Sequence, residues 1–449
     1  MSTSPKALMT DLYQLTMAAG YFRHGLQDKR VSFELFVRKL PEHRRYLLFA
    51  GLQSVIEYLR NVRFSESQIA YLAEVPALRS AMSFDLVEYL RDFRFRGDVW
   101  AMPEGTVVFE REPMIRITGT LLETQLVETF LLSTINTETT VATKASRIVR
   151  AAGGGTVLEF GTRRTSPEEA VASARAAFLA GFSATSNVEA GYRYDIPVAG
   201  TAAHSWTMSH ASEEEAFRHY VEAFPNQATL LVDTYDTLEG VRRAIAVAGD
   251  KLKGVRLDSG DLLELSKGSR KLLDEAGLKD TEIIASGDLN EFKIAALREA
   301  GAPIDGWGVG TELVRSRDNP TLGGVYKMVY DHTEDRPVAK FSVDKETLPG
   351  LHQVFRLERD GLAAHDVLGT LPEFHVDAKP LLVEWMKDGK LTRELPSLAG
   401  LRKHARAQLA ALPERVCSFE PWSAEEAYEV RVSDGLTALI EEVRHREMD

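Results

Sequence analysis

Five short apolar runs, each ending in small, polar or charged residues, constrain the fold of this chain more than any other feature of its sequence. They lie in the middle of the chain at intervals of roughly one βα unit. Their sequences are LEFGTRR (Leu158–Arg164), GTAAHS (Gly200–Ser205), VRLDSGD (Val255–Asp261), ASGDLNE (Ala285–Glu291) and GVGTELV (Gly308–Val314). A β/α barrel assembles its active site at the carboxyl ends of buried strands, where these polar residues stand. The pattern therefore predicts an α/β protein with a β/α barrel, and an enzyme.

The chain is predicted to have three segments. Residues 1–150 mix helices with a β-rich patch, and a triple-glycine break opens the barrel segment, residues 151–328. Residues 329–449 turn β-rich, then form a basic amphipathic helix over residues 396–413 and a loop to the end. The predicted barrel strands lie near residues 156–160, 183–186, 197–200, 229–233, 254–257, 282–285 and 306–309.

Charge and cysteine content exclude several classes of protein. The net charge of −12 argues against a general nucleic-acid binder and against a protein of membrane surfaces, so an anionic substrate must be captured by local cations and backbone N–H groups. The single cysteine, Cys417, excludes an internal disulfide and a cysteine metal cluster. The N-terminal segment has no signal-peptide pattern and no apolar stretch is long enough to span a bilayer, so the expected location is the cytoplasm.

Two of the strand ends have features of phosphate sites. In GVGTELV, Gly308 and Gly310 precede Thr311, and glycine lets backbone N–H groups approach phosphate oxygens closely. A tight turn between a strand and a helix explains the same pattern. In LEFGTRR, Arg163 and Arg164 would point to different sides of an extended backbone, so at least one of them is expected to contact a phosphate.

The VRLDSGD run pairs a cation with carboxylates. Arg256 and Asp258 lie on the same face of an extended strand, because side chains alternate along it. They form a structural salt bridge, or Arg256 binds the carboxylate of a small substrate while Asp258 and Asp261 bind hydroxyl groups or a metal ion. The residues themselves leave both interpretations open, as they do for Phe160, which faces the barrel mouth or the core.

His204 and Asp288 also have two interpretations each. His204 follows a short strand beside Thr201 and is either a structural residue or an acid–base or phospho-acceptor group. Asp288, with Ser286 and Gly287, either caps the following helix or belongs to an anion site at its start. The chain has no HExxH, Cys/His, Walker or GxSxG motif, so any metal is expected to be Mg²⁺ shared with phosphates.

In order and spacing, these motifs resemble the nicotinate phosphoribosyltransferase family over nearly the whole chain. The resemblance begins with TDLYQLTMA (Thr10–Ala18) and SFELFVRKLP (Ser32–Pro41), continues through MPEGTVVFEREPMIRITG (Met102–Gly119) and the strand ends, and finishes with PSLAGLRKHARAQLAALPE (Pro396–Glu414). It implies an incomplete, TIM-like β/α barrel and an α/β sandwich domain built from both ends of the chain, to which residues 329–449 return before a helical tail. It also implies a homodimer in which the N-terminal tyrosine of one subunit reaches the barrel of the other.

The resemblance also implies a reaction and the residues that perform it. Nicotinate and phosphoribosyl pyrophosphate (PRPP) would give nicotinate mononucleotide and pyrophosphate for NAD synthesis, with Mg²⁺ and with ATP hydrolysis coupled through a phosphohistidine, His204. The nicotinate ring would stack on Tyr13 and Phe160, and its carboxylate would bind Arg256 near Thr201. Asp258 and Asp288 would engage the ribose hydroxyls or Mg²⁺. The implied phosphate and PRPP contacts are Arg163, Ser286, Gly287, Asp288, Gly308, Gly310 and Thr311.

Substrate choice depends on Ser186 in FSATSN (Phe182–Asn187). The related nicotinamide-using family carries an acidic residue at this position, which would repel nicotinate and accept the amide N–H, so Ser186 favours the acid. The rival interpretations are a nicotinamide-specific enzyme, a quinolinate enzyme that also decarboxylates, and a non-catalytic sensor of phosphoribosyl ligands. Quinolinate should need more cations than Arg256 alone, and a sensor has no need of a phospho-acceptor.

Overall fold

The structure, a computed structural model, describes residues 6–343, 345–420, 423 and 426–448. The chain divides into two compact units, one of residues 1–140 and 321–449 and the other of residues 141–320. The predicted three-segment division at residues 150 and 328 stays a prediction. In the part of the chain described here, no helix is both long and apolar enough to cross a membrane.

The first unit takes its helices and strands from both ends of the chain. Its N-terminal elements are α1 (Leu12–Arg23), β1 (Arg30–Val37), β2 (Leu47–Leu48), α2 (Leu52–Asn61), α3 (Glu66–Glu74), α4 (Phe84–Arg91), β3 (Asp98–Ala101), β4 (Val107–Val108), β5 (Pro113–Thr120), α5 (Leu121–Leu126) and α6 (Glu128–Ala152), which continues into the second unit.

The second unit alternates strands and helices. Its elements are β6 (Thr156–Glu159), α7 (Pro167–Ala180), β7 (Ala184–Thr185), α8 (Val188–Tyr194), α9 (His204–Met208), α10 (Glu213–Ala223), β8 (Thr229–Leu231), α11 (Thr237–Ala248), β9 (Gly254–Leu257), α12 (Leu262–Glu275), β10 (Glu282–Ala285), α13 (Glu291–Glu299), β11 (Gly306–Val309) and α14 (Thr311–Val314), with single 3₁₀ turns at Thr162–Arg164 and Gly249–Lys251.

The chain then completes the first unit. These elements are β12 (Gly324–Asp331), β13 (Arg336–Pro337), β14 (His352–Arg359), β15 (Leu362–Thr370), β16 (Ala378–Pro380), β17 (Val383–Lys387), β18 (Lys390–Leu391), α15 (Leu398–Ala410), α16 (Glu414–Cys417), β19 (Val430–Val432) and α17 (Asp434–Met448). The loop that was predicted from residue 413 to the end of the chain is therefore wrong over Asp434–Met448, where the chain forms α17. Leu436 and Val443, seven residues apart on one helix face, are buried and hold this helix in place.

An antiparallel sheet of seven strands, in the order β13-β12-β1-β5-β3-β17-β18, forms the centre of the first unit. Leu35 of β1 lies opposite Ile115 of β5 and Tyr326 of β12, and all three are buried in the main apolar core. Since β1 is buried from residue 31 to residue 37, both faces of the sheet are covered. Strands β16-β14-β15-β19 form a second sheet and β2-β4 a third.

The second unit contains a parallel sheet of six strands in the order β7-β6-β11-β10-β9-β8. The sheet curls into a half-barrel whose edges are β7 and β8, and it packs helices such as α11 and α12 against its apolar strands. Parallel strands that are covered by helices have short, continuous apolar sequences, so their positions can be predicted from the sequence.

The predicted mixed α/β class is confirmed, and six of the seven predicted strands are present within about two residues at each end. The strand predicted at residues 197–200 is wrong, because this segment makes a single parallel bridge between Val198 and Thr185. The segment is too short and too exposed to extend the sheet beyond β7. The description of the sheet as a TIM-like barrel stays a prediction.

Candidate active site

Four neighbouring strands of the parallel sheet bring the predicted site residues to one edge. The first residues after β6, β11, β10 and β9 are Phe160, Gly310, Ser286 and Asp258. The backbone pairing continues one step past the strands, since Phe160 N–H donates to the carbonyl of Val309 at 2.9 Å. Because parallel strands share a direction, four chain segments that are far apart in sequence meet at this edge.

The guanidinium of Arg256 is the centre of this edge. Its Nε donates to Ser286 Oγ at 2.8 Å, one terminal nitrogen donates to Thr201 Oγ1 at 3.0 Å, and the other donates to Asp258 Oδ1 at 2.7 Å. A guanidinium has five N–H donors, so one N–H on each terminal nitrogen is left for a ligand. This pair is the arrangement that binds a carboxylate through both of its oxygens.

The ring of Phe160 lies against the same guanidinium, whose central carbon is 5.3 Å from the ring centroid. This distance is within the range of a cation–π contact. A Cβ atom on Gly308 would lie 2.5 Å from the Phe160 ring, so only glycine at this position of β11 leaves room for it. Phe160 is half-buried and is therefore placed at the strand ends instead of in the core.

The carboxylate of Asp258 is ionised in this setting. Burial raises its pKa, but the hydrogen bond from Ser286 Oγ (2.5 Å to Oδ1) and the charge of Arg256 outweigh burial, so the pKa of Asp258 lies below its usual value. Its second oxygen, Oδ2, lies 4.0 Å from Nε2 of His204. Arg256 and Asp258 thus form a salt bridge and still offer free donors and a free acceptor, so the two interpretations of the pair are compatible.

Asp233 was missed by the sequence analysis. Its carboxylate is buried after β8, where Oδ2 accepts the Asp258 N–H at 3.0 Å and the Ser259 hydroxyl at 2.6 Å. Its Oδ1 has no hydrogen-bond partner among the described residues and lies 4.0 Å from His204 Nε2. The signal was available, because the apolar run TLLV (residues 229–232) ends in this aspartate as the other strands end in their polar residues.

His204 is the first residue of α9 and faces both carboxylates. Its Nδ1 lies 3.2 Å from the hydroxyl of Thr234, and its side chain is 41% exposed. An imidazole with one nitrogen held by a hydroxyl and the other directed between Asp233 and Asp258 is oriented, yet accessible to an incoming group. This setting differs from that of His210, whose Nδ1 lies 2.7 Å from the backbone carbonyl of Trp206.

Ser286, Gly287 and Asp288, three of the predicted phosphate contacts, directly follow β10. Gly287 has a φ of +96°, and a Cβ atom there would lie 2.2 Å from the Asp258 carbonyl oxygen, so this turn requires glycine. Asp288 is exposed and is not the cap of α13, because Asn290 accepts the Lys293 N–H in that role. Asn290 is the position directly before the helix, so the interpretation of Asp288 as its cap is wrong.

Gly310 and Thr311 stand where β11 turns into α14, and Gly310 is the residue before the helix. A Cβ atom on Gly310 would lie 3.0 Å from the Phe160 carbonyl oxygen, so the β6 and β11 turns approach each other closely. The strand-to-helix turn is therefore present, and phosphate binding by its backbone stays a prediction.

Arg163 and Arg164 are both exposed, but they lie in a 3₁₀ turn, so the extended backbone assumed for them is wrong.

Asp261 accepts the N–H groups of Leu263 and Glu264 as the cap of α12, which makes it a structural residue.

Ser186 and Tyr13 complete the predicted set. Ser186 follows β7 and its N–H donates to the carbonyl of Glu159 at 2.9 Å, which places it one strand away from Phe160. Tyr13 belongs to α1 in the first unit, where its side chain is 47% exposed. Burial and the nearby Glu128 raise the pKa of Tyr13 to about 12, so its ring is neutral at physiological pH.

Comparison with known proteins identifies the family. Three models of nicotinate phosphoribosyltransferase match successive parts of the chain: the N-terminal domain at residues 8–136, the family model at residues 156–338 and the C-terminal domain at residues 370–440. The nicotinate phosphoribosyltransferase pncB2 of Mycobacterium tuberculosis is 44% identical over 98% of this chain and 94% of its own length. The chain belongs to the nicotinate phosphoribosyltransferase family. The predicted family and the prediction of an enzyme are both confirmed.

Further relatives agree with this chain in sequence, and solved structures agree with it in fold. The Bacillus subtilis enzyme is 46% identical over 78% of this chain and 73% of its own length. The crystal structure of the human nicotinic acid phosphoribosyltransferase has a TM-score of 0.84 and 29% identity, covering 97% of this chain and 99% of that one. A nicotinate-nucleotide pyrophosphorylase from Pyrococcus furiosus, at 24% identity and a TM-score of 0.76 over 90% of this chain and 95% of its own, shares the fold.

Proposed function

We propose that this chain joins nicotinate to the ribose of PRPP, giving nicotinate mononucleotide and pyrophosphate. The observation that carries the proposal is Arg256, whose two free N–H groups stand beside the ring of Phe160 at the strand ends. A pyridine ring lying on Phe160 can present a ring carboxylate to those donors. Nicotinamide fits less well because it has no carboxylate. Quinolinate fits less well because it has two carboxylates, whereas Arg256 is a single cation.

The reaction needs little covalent help from the protein. The pyridine nitrogen forms the bond to the anomeric carbon of the ribose, and the bond between that carbon and the pyrophosphate oxygen breaks with its electron pair. Positive charge develops on the ribose as pyrophosphate departs, so a fixed carboxylate beside the sugar stabilises the transition state. Asp258 has this role in our proposal, because its lowered pKa keeps it ionised at neutral pH. Holding the two substrates in line supplies much of the remaining acceleration.

The phosphates of PRPP are assigned to the turns after β6, β10 and β11. The turns offer backbone N–H groups at positions where glycine permits close approach, together with hydroxyl groups and an exposed cation. The residues in this assignment are Arg163, Ser286, Gly287, Asp288, Gly308, Gly310 and Thr311.

The acidic residues suit a Mg²⁺ ion that is bound mainly by substrate oxygens. The described residues contain no cluster of three or more His, Cys, Asp or Glu side chains that would enclose a metal. Mg²⁺ keeps several waters and is often held by one or two carboxylates with phosphate oxygens. Asp258 and Asp288 are the carboxylates that would hold it. The bound ion would neutralise charge on the departing pyrophosphate.

We propose that Nε2 of His204 attacks the γ-phosphorus of ATP, so that an N–P bond forms while the bond to the bridging oxygen breaks and ADP leaves. Water later cleaves the N–P bond and releases phosphate. The Nε2 of His204 lies 4.0 Å from a carboxylate oxygen of each of Asp233 and Asp258, and its Nδ1 lies 3.2 Å from the Thr234 hydroxyl, so the ring is held in one orientation. Its exposed side chain permits attack on an incoming phosphate. The proposal includes a homodimer in which Tyr13 stacks on the nicotinate bound to the partner subunit.

A product assay tests the function. Purified protein receives PRPP and Mg²⁺ with nicotinate or nicotinamide, each with and without ATP, and mononucleotide and ADP are quantified. We expect nicotinate mononucleotide with matching ADP. Turnover of nicotinamide alone would overturn the substrate assignment, and tight ligand binding without any product would indicate a sensor.

Ser186→Asp is expected to shift the preference of the enzyme from nicotinate towards nicotinamide. A carboxylate after β7 would repel the nicotinate carboxylate and accept the amide N–H of nicotinamide. The ratio of kcat/KM for the two substrates should change by at least about tenfold, a modest electrostatic effect. The matched control is Ser183→Asp, an exposed serine before the same strand, which should leave the ratio unchanged. An unaltered ratio in Ser186→Asp would show that Ser186 does not face the substrate.

A further inference from the structure

A buried carboxylate stands directly behind the candidate nicotinate site. Glu159, the last residue of β6, is 1% exposed and precedes Phe160. Its Oε2 accepts the hydroxyl of Thr185 at 2.5 Å, and its Oε1 accepts the N–H of Gly161. No ion pair joins it to a described Lys, Arg or His side chain. Burial raises the pKa of Glu159, and the hydrogen bonds from Thr185 and Gly161 to its two oxygens offset part of the cost of burying it.

Thr185 connects Glu159 to the segment that contains Ser186. Its hydroxyl oxygen accepts the N–H of Asn187 at 2.9 Å, and a hydroxyl has a single proton, which therefore goes to Glu159. The Ser186 N–H donates to the Glu159 backbone carbonyl at 2.9 Å. Asn187 then caps α8 by accepting the Ala190 N–H at 2.9 Å. Ser186 is therefore held in place by the hydrogen bonds of its two neighbours, Thr185 and Asn187, and by the bond from its own N–H.

The same carboxylate fixes the turn that presents Phe160. A Cβ atom on Gly161 would lie 2.9 Å from Glu159 Oε1 and 2.3 Å from a methyl group of Val314, so the turn folds tightly over the carboxylate. Phe160 lies between Glu159 and Gly161, both of which belong to this interaction. One buried side chain therefore connects the β6 turn with the β7 turn.

We infer that Glu159 and Thr185 are positioning residues for the pyridine ring, setting the separation of Phe160 and Ser186 without touching the substrate. This inference rests on the proposed function, in which Phe160 and Ser186 face nicotinate. The phosphate-binding turn after β10 has its own contacts with the β9 turn, through Ser286 and Gly287. The turn after β6, which carries Arg163, keeps the bond from the Gly161 N–H to Glu159 when only the Thr185 hydroxyl is removed. Loss of the Glu159–Thr185 bond should therefore weaken nicotinate binding and leave PRPP binding nearly unchanged.

Thr185→Val tests the inference, because valine keeps the shape of threonine and removes only the hydroxyl. We expect the KM for nicotinate to rise about tenfold, which is the scale of one lost hydrogen bond to a buried carboxyl group, and the KM for PRPP to stay within about twofold. Thr185→Ser retains the hydroxyl and should restore the wild-type KM for nicotinate to within about twofold. Glu159→Gln should act in the same direction as Thr185→Val.

The matched control is Thr281→Val. Thr281 is another buried threonine, and its hydroxyl donates to the Leu252 carbonyl at 2.9 Å, but it is the residue before β10, at the amino end of that strand. It should lower the melting temperature about as much as Thr185→Val and leave both KM values unchanged. An equal rise of both KM values in Thr185→Val, or a fall in melting temperature alone, would overturn the inference.

Direct binding of nicotinate, measured by calorimetry on each variant, separates this inference from the proposed reaction. A wild-type protein that binds nicotinate without turnover, with binding weakened about tenfold by Thr185→Val, would refute the reaction and support the positioning role. A wild-type protein that turns over nicotinate while Thr185→Val behaves like wild type would refute the positioning role alone. A wild-type protein that binds no pyridine would overturn both.

Discussion

Arg256→Ala is expected to lower kcat/KM for nicotinate by about 100- to 1,000-fold, the equivalent of about 3–4 kcal/mol. The guanidinium donates to Ser286, Thr201 and Asp258 and keeps two N–H groups for the substrate carboxylate. Its removal takes away the cation that receives nicotinate and leaves Asp258 without its counter-charge. Steady-state kinetics with nicotinate varied at saturating PRPP measure the effect.

Two further variants distinguish carboxylate binding from a purely structural salt bridge. Arg256→Lys keeps the charge but cannot make three donated bonds and bind a carboxylate with two more, so an intermediate loss is expected. Arg242→Ala removes an arginine whose side chain is 55% exposed and pairs with Glu239, and it should change kcat/KM by less than about twofold. If Arg256→Ala lowered turnover of nicotinamide as much as that of nicotinate, the carboxylate assignment would be wrong.

His204→Ala is expected to abolish the coupling of the reaction to ATP and to leave a slow transfer that does not depend on ATP. The proposed phosphorylation needs the Nε2 atom that lies 4.0 Å from both Asp233 and Asp258, and alanine has no nucleophile there. ADP formation should fall by more than about 100-fold, since a covalent intermediate is lost and not merely weakened. Release of ADP and transfer of labelled γ-phosphate to the protein are the two measurements.

His210→Ala is the matched control for this prediction. His210 is near His204 in sequence, but its ring packs against Trp206 at a centroid distance of 4.8 Å and bonds to the Trp206 carbonyl. Phosphate incorporation should persist in this variant. If phosphate labelling persisted in His204→Ala and disappeared in His210→Ala, His210 would be the phosphate acceptor instead of His204. If the rate of the reaction depended on ATP as in wild type in both variants, a phosphohistidine at either position would be refuted.

The strand ends were predictable because their signals are local. Buried parallel strands need apolar runs, and the chain must leave the sheet through small or polar residues, so Phe160, Arg256, Asp258 and Ser286 could be found from the printed sequence. Asp233 follows the same rule and was missed because its run was treated as a strand without a site at its end.

Other errors came from competition between signals of equal local strength. Asn290 and Asp288 both suit a helix cap, and only the path of the backbone, with Asp288 at a φ of +47°, decides in favour of Asn290. Arg163 and Arg164 lie in a 3₁₀ turn directly after Gly161, whose N–H bonds to the buried Glu159 side chain, and the alternation of an extended strand does not predict this bend. The helix α17 was missed although its signal is local, because Leu436, Leu439, Ile440 and Val443 recur at helical spacing.

The sequence by itself determined the α/β class, the positions along the chain of the six strands of the parallel sheet, and the residue types at the ends of those strands. Hydrophobic periodicity and turn chemistry act over a few neighbouring positions, so these features are visible without the structure. The tertiary structure alone decided which of those residues meet. It gave Arg256 three partners from residues 201, 258 and 286, and it turned Glu159 into the connection between Phe160 and Ser186. Such contacts arise from the parallel pairing of distant strands, and the free energy of those pairings depends on the whole sheet and not on any single segment.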